Sequence, residues 1–302
     1  MTHPGSGLVT LANGRLRVVV QPGLGAGLTQ LAAWHDGRWQ PLMRPLQGPA
    51  RDPEQMACCV LMPWSNRLYG GGFRWRDRTV TIEPMRPGDR LPLHGHAWLA
   101  PWQVVSSAAE ELVLTHECQA PAGFAYTGQV RYRLEDTRLR VELSVEHRGP
   151  GPLPYGLGLH PWFVRDPDTV VAFHSTGRWE PDATQAPRTL RPLDPHDPLN
   201  FDPGRPLPPE LIDHVYAGWD GAAEIRWPAR GLALRMHADA TAPYLVVYSP
   251  PPQAHLPGFV CLEPVTHCND AHRAPDPLAQ GLVELQRGER LALGVTLEAL
   301  WV

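Results

Sequence analysis

Apolar and polar residues alternate one by one along much of this chain. In RLRVELSVEH, Leu139, Val141, Leu143 and Val145 alternate with Arg140, Glu142, Ser144 and Glu146, a period of two that predicts an antiparallel strand with one face buried and one in water. The preceding YTGQVRYRL continues the pattern through Val130, Tyr132 and Leu134, and the intervening EDT is short enough for a hairpin. Further strands are predicted at RLRVVVQP, ELVLTHE, LALRMHA, YLVVYSP, GFVCLEP and the closing RLALGVTLEALWV. Helices are not expected, because 35 prolines and 28 glycines interrupt nearly every window long enough for an amphipathic one. The pattern predicts an all-β protein, a large antiparallel β-sandwich, in one domain over residues 1–302. The proline-rich stretch 174–212 is expected to run as one long excursion over the surface.

Composition narrows the function classes. Hydrophobic residues make up 43% of the 302 and charged residues 19%, enough apolar material for a sizeable core. The formal charge is −4 and basic residues are not clustered, so nucleic acid is not an expected partner. Every basic residue is an arginine; with no lysine present, Schiff-base chemistry and lysine-dependent phosphate loops are excluded. Neither a secretory leader nor a run of eighteen apolar residues is found, and five cysteines, with Cys58 and Cys59 adjacent, do not form a disulfide framework. A cytoplasmic protein without membrane contact, monomeric or homodimeric, is expected.

Four segments place reactive side chains among apolar or glycine-rich neighbours. PWSNRLYGGGF carries Asn66 and Arg67 ahead of three glycines, where an arginine can serve a hydroxyl-rich ligand or simply sit beside a flexible turn. LPLHGHAWLAPW carries His94 and His96; on a strand both rings would point the same way, which leaves a metal site open as a reading, although CxxC spacing for zinc is absent. GLGLHPWF puts His160 and Trp162 on one face of a strand with Gly156 and Gly158, which would clear space for a ligand unless the histidine is structural. In FVCLEPVTHCNDA, Glu263 follows four apolar residues, so its carboxylate needs a partner or a task. No GxSxG or glycine-rich fingerprint occurs. One carboxylate and two or three histidines presented from strands suit proton transfer.

Taken in order, NRLYGGGF, LHGHAW, PAGFAYTGQVRYRLED, GLGLHPWF, DHVYAGWDG and VCLEPVTHCNDA resemble the aldose 1-epimerase family, the galactose mutarotases, across nearly the whole chain. The resemblance implies a β-sandwich with a sugar-binding cleft across one sheet, no metal and no organic cofactor. It implies that Glu263 is the general base at the anomeric hydroxyl, His160 the general acid at the ring oxygen and His94 a second histidine near that oxygen. Arg67 and Asp213 would hold sugar hydroxyls, with Asn66 beside the arginine, and Trp162 could stack on the sugar, although packing inside the sandwich is the commoner role for a single tryptophan. Two departures, Trp162 where the family often has tyrosine or phenylalanine and Ala125 where many members have proline, bear on the choice of sugar. Hexose 6-phosphates, and sugar binding or sensing without turnover, are the alternative readings.

Overall fold

The computed structural model describes residues 7–46, 48–119, 121–184, 186–253 and 258–302. Their strands form two large antiparallel sheets, and the helical segments among them are 3-10 turns of three residues. The alternating segments become the strands expected of them. Ala125–Glu135 pairs with Arg138–His147 in the predicted hairpin, Val130 opposite Leu143, and the second strand continues onto the closing strand Arg290–Trp301. These belong to a nine-stranded sheet that runs from Arg205–Pro206 at one edge to Gln103–Ser107 at the other.

The eleven-stranded sheet carries the candidate chemistry. At its middle lie, side by side, Cys58–Leu61, Gly158–Arg165, Gly258–Val265, Tyr244–Ser249 and Ile212–Ala217. Successive side chains on each strand point to opposite faces. One face sends Val60, Leu159, Phe163, Val247, Val260 and Leu262 into a core shared with Val130, Tyr132, Leu143, Leu234 and Val295 of the nine-stranded sheet. Hydrogen bonds also tie the two sheets together: Tyr132 Oη donates to the Ala26 carbonyl at 2.7 Å, Trp227 Nε1 to that of Val164 at 2.8 Å and Trp301 Nε1 to that of Trp34 at 3.2 Å. The other face carries Cys59, Leu61, Trp162, Cys261 and Val265 in a smaller apolar cluster.

Two expectations are corrected here. The stretch 174–212 is not a continuous excursion: Gly177–Pro181 and Pro187–Pro192 extend the eleven-stranded sheet to its edge, and Arg205–Pro206 ends the other sheet. Proline is tolerated there because an edge strand leaves one row of backbone groups unpaired. Nor do Gly156 and Gly158 clear space for a ligand. A Cβ on Gly156 would lie 1.9 Å from Cδ2 of His267, and one on Gly158 would lie 2.7 Å from Cγ1 of Val265. The glycines admit neighbouring side chains of the protein itself.

The His267 imidazole, fully buried, accepts from the Ser65 N–H at 3.0 Å through Nε2 and donates from Nδ1 to the Cys268 carbonyl at 2.7 Å. It fastens the segment leading to Asn66 onto the end of the Gly258–Val265 strand. Replacement of Gly156 by alanine is expected to displace this ring and to destabilise the fold by about 1–3 kcal/mol, the usual cost of overpacking. Thermal unfolding of Gly156→Ala measures it; a midpoint equal to that of the parent would refute this role for His267.

Candidate active site

The site begins as a matter of strand register. Cys261 lies opposite Trp162, and Gly158 opposite Val265, so the same register sets Glu263 beside His160. On the flanks, Cys59 faces His160, Val246 faces Glu263, Tyr248 faces Cys261 and Asp213 faces Tyr248. All of these residues share one face of the sheet. This face underlies a cleft of about 280 Å³ whose lining includes Glu263, His160, His94, Arg67, Asp213, Asn66 and Trp162. Every site residue expected from the sequence is thus brought to one place.

Glu263 and His160 are in contact: Oε1 lies 3.3 Å from Nε2, with the side chains 4% and 13% exposed. Burial dominates both titrations. It pushes the Glu263 carboxyl well above its ordinary value, with Asp213 adding to the rise and Arg67 opposing it. It lowers the His160 imidazole to about 3, with the Arg44 guanidinium adding to the fall and a backbone hydrogen bond opposing it. A buried charge without full compensation is costly, so burial favours a neutral carboxyl beside a neutral imidazole. The pair then holds one transferable proton.

Two loops close over this floor. Asn66 and His94 both adopt left-handed backbone, φ 59 and 57, and bind each other twice. The Asn66 N–H donates to Nδ1 of His94 at 3.0 Å, and the His94 N–H to the Asn66 carbonyl at 3.0 Å. Because Nδ1 accepts, the neutral ring carries its proton on Nε2. Burial, then the neighbouring His160, Arg67 and Arg86, keep the ring's pKa well below the usual value. Its centroid lies 5.3 Å from that of His160. Gly95 lets the chain turn here: its φ is +75, and a Cβ would lie 2.1 Å from the Met62 carbonyl oxygen.

The paired-ligand reading of His94 and His96 fails for that reason. The two residues lie in a bend, not a strand. His94 faces Trp98 and His160, whereas the His96 ring packs against Trp64 and Phe124.

Arg67 and Asp213 are exposed at the rim. Asn66 holds the chain at Arg67 by accepting the Arg67 N–H on its side chain at 2.8 Å. Crowding by the cleft walls raises the Asp213 pKa, with Arg67 pulling it back. Trp162 takes a different place from the one expected. Its ring stacks on that of His160, centroids 3.9 Å apart and planes at 17°, while the Arg44 guanidinium lies over it at 4.9 Å. The indole supports the imidazole and also forms part of the cleft lining.

Arg44, Glu54, Trp98 and Tyr248 also line the cleft and were not anticipated from the sequence. Tyr248 had a signal in YLVVYSP, where it shares a face with Val246 and Tyr244. Arg44 had none: its place depends on loop geometry, with one guanidinium nitrogen donating to the carbonyls of Glu54 and Met56, the latter at 2.9 Å.

Comparison with known proteins agrees with this architecture. A family model described as aldose 1-epimerase matches residues 7–298. YphB, an uncharacterized protein of Escherichia coli K12, is 33% identical over 98% of this chain and 99% of its own length. A crystal structure from Escherichia coli K12, provisionally assigned as an aldose 1-epimerase, superposes with a TM-score of 0.88 at 29% identity, covering 98% of this chain and 99% of that one. A galactose mutarotase-like protein of Clostridium acetobutylicum shares the fold at 16% identity, with a TM-score of 0.86 over 98% of this chain and 95% of that one.

The charge state of the pair is directly measurable. In an NMR titration the His160 ring is expected to stay neutral as pH falls through 6.5, the ordinary value, and to protonate only near its lowered value of about 3 or at acid unfolding. An inflection near 6.5 assigned to His160 would overturn the neutral pair.

Proposed function

Because the chain belongs to the aldose 1-epimerase family, we propose that it is a cofactor-independent mutarotase interconverting the α and β anomers of a free aldose such as glucose or galactose. The observation that carries this reading is the buried contact between Glu263 and His160. Opening a pyranose ring requires removal of the proton from the C1 hydroxyl and delivery of one to the ring oxygen. A carboxyl and an imidazole already sharing a proton can do both without drawing on solvent.

In the proposed cycle the sugar enters with C1 and its ring oxygen over the pair. Contact with its hydroxyls and with Arg67 stabilises the charge-separated form, carboxylate beside imidazolium. Glu263 takes the proton of the C1 hydroxyl, Nε2 of His160 gives one to the ring oxygen, and the bond between C1 and that oxygen breaks to leave an open-chain aldehyde. Rotation about C1–C2 presents the other face of the carbonyl. Reclosure returns a proton from Glu263 to the C1 oxygen and takes one from the ring hydroxyl to His160. The pair ends with the proton count it began with.

The remaining residues bind and orient. His94 offers Nε2–H as a neutral donor to the ring oxygen or an adjacent hydroxyl, a task that a neutral imidazole with Nδ1 occupied performs in one orientation only. Arg67 and Asp213 present fixed donors and acceptors at the rim for other hydroxyls, and Asn66 holds the Arg67 backbone in place.

Polarimetry on freshly dissolved α-D-glucose and α-D-galactose tests the activity. Acceleration over buffer is expected, and Glu263→Gln should lower it by about 10²-fold or more, the usual worth of a positioned base, with the unfolding temperature retained. No acceleration of either sugar or of hexose 6-phosphates, with saturable sugar binding by calorimetry, would make the protein a binder instead. Trp162→Leu separates two roles for the indole. Support of His160 predicts a fall in kcat with little change in KM, whereas a change mainly in KM would place the indole against the sugar.

A further inference from the structure

Cys261 is fully buried beside the pair, and the proposed cycle gives it no task. It lies two residues before Glu263 on the same face of its strand and opposite Trp162. Its Sγ, a Glu263 carboxylate oxygen and a ring nitrogen of His160 all lie within 4.8 Å of one another, and no other group of three such side chains converges this closely among the described residues. We propose that Cys261, Glu263 and His160 form a binding site for a zinc-class divalent cation, and that occupation of it excludes substrate and reversibly arrests the enzyme.

The donor set fits such an ion. Thiolate, imidazole and carboxylate are the ordinary ligands of zinc, and three of them with one position left open match its tetrahedral preference. With Zn–S near 2.3 Å and Zn–N and Zn–O near 2.0–2.2 Å, tetrahedral donors stand roughly 3.3–3.7 Å apart. The edge between His160 and Glu263 has that length already, at 3.3 Å. The sulfur, no more than 4.8 Å from either of the other donors, has to close by at most about 1.5 Å to reach that spacing, within reach of a small rotation of the Cys261 side chain. Cys59, across from His160 on the neighbouring strand, is engaged elsewhere, its Sγ–H directed to the Pro53 carbonyl at 3.3 Å.

Charge favours the same arrangement. On coordination the Cys261 thiol loses its proton to solvent, Glu263 binds as carboxylate with any proton likewise released, and His160 contributes the lone pair of Nε2. The two negative ligands neutralise the dication, so the occupied site carries no net charge. A neutral centre suits a buried position close to the Arg44 guanidinium. The metal would hold the carboxylate and the imidazole nitrogen that ring opening needs. The arrest therefore rests on the proposed epimerase chemistry; the coordination does not.

Cobalt(II) is the probe for coordination and zinc(II) for arrest. The intact protein with cobalt(II) is expected to show a sulfur-to-cobalt charge-transfer band in the near ultraviolet, and Cys261→Ser to lack it. Zinc(II) is expected to inhibit the intact protein, with recovery on adding a chelator. Cys261→Ser should keep the metal-free rate while its inhibition constant for zinc rises roughly tenfold or more, equivalent to about 1.4 kcal/mol. If the serine variant does not fold, Cys261→Ala carries the same comparison. Absence of the band in the intact protein, or equal zinc sensitivity with and without Cys261, overturns the site. A protein that shows the band but accelerates no sugar keeps the metal site and loses the epimerase reading; an active enzyme without the band does the reverse.

Discussion

The site depends on a carboxyl and an imidazole being taken out of water together. Glu263 and His160 meet at 3.3 Å on a sheet face where both are nearly covered, and neither could be held there alone without an unpaired buried polar group. Register supplies the pairing. Because the strands Gly158–Arg165 and Gly258–Val265 are neighbours in the middle of an eleven-stranded sheet, a slip of one residue would send either side chain into the apolar core. Leu159 and Leu262, which are in that core, resist such a slip by their own burial. The packing that stabilises the sandwich is therefore also what aligns the reacting groups.

Burial has a second effect, on the loops. The segment Ser65–Tyr69 has backbone N–H groups that no sheet pairs; four of them donate to side chains, Ser65 to His267, Asn66 to His94, Arg67 to Asn66 and Tyr69 to Asp270. An imidazole can accept only while it lacks a proton on that nitrogen. Desolvation lowers His267 to about 4 and His94 well below the usual value, so both remain acceptors at neutral pH. The loop that presents Arg67 is held by neutral histidines, and their neutrality comes from the same dry surroundings that keep the Glu263–His160 pair uncharged.

Much of this was legible in the sequence because it follows from periodicity and from charge in the wrong place. The hairpin between Tyr126 and His147 was visible in alternation alone. Glu263 stood out as a carboxylate after four apolar residues, and it is indeed buried with a partner. What escaped depended on contacts between segments distant in the chain. Gly156 looked like cleared space because nothing local reveals that His267 fills it. His94 and His96 looked like a pair because a strand was assumed, whereas a left-handed residue at 94 turns the chain between them. Trp162 looked free to meet a ligand, but His160 on its own strand and Arg44 from another segment occupy its ring. The prolines of 174–212 masked three strands because proline is excluded from a sheet interior and accepted at its edge.

The division between floor and rim has a consequence for how such a site can vary. Glu263, His160 and Trp162 lie on central strands, where a change of volume is felt by a packed sheet on both sides. Arg67, Asp213 and Asn66 are presented from a loop or at the exposed end of a strand, where substitution costs little stability. In the proposed cycle the floor meets only the anomeric carbon and the ring oxygen, features every aldopyranose shares, and the rim meets the hydroxyls by which one sugar differs from another. Reaction type is thus tied to the part of the fold least free to change, and sugar preference to the part most free. A chain can keep the buried pair intact while its rim is altered, and the pair alone therefore identifies the proposed reaction without identifying the sugar.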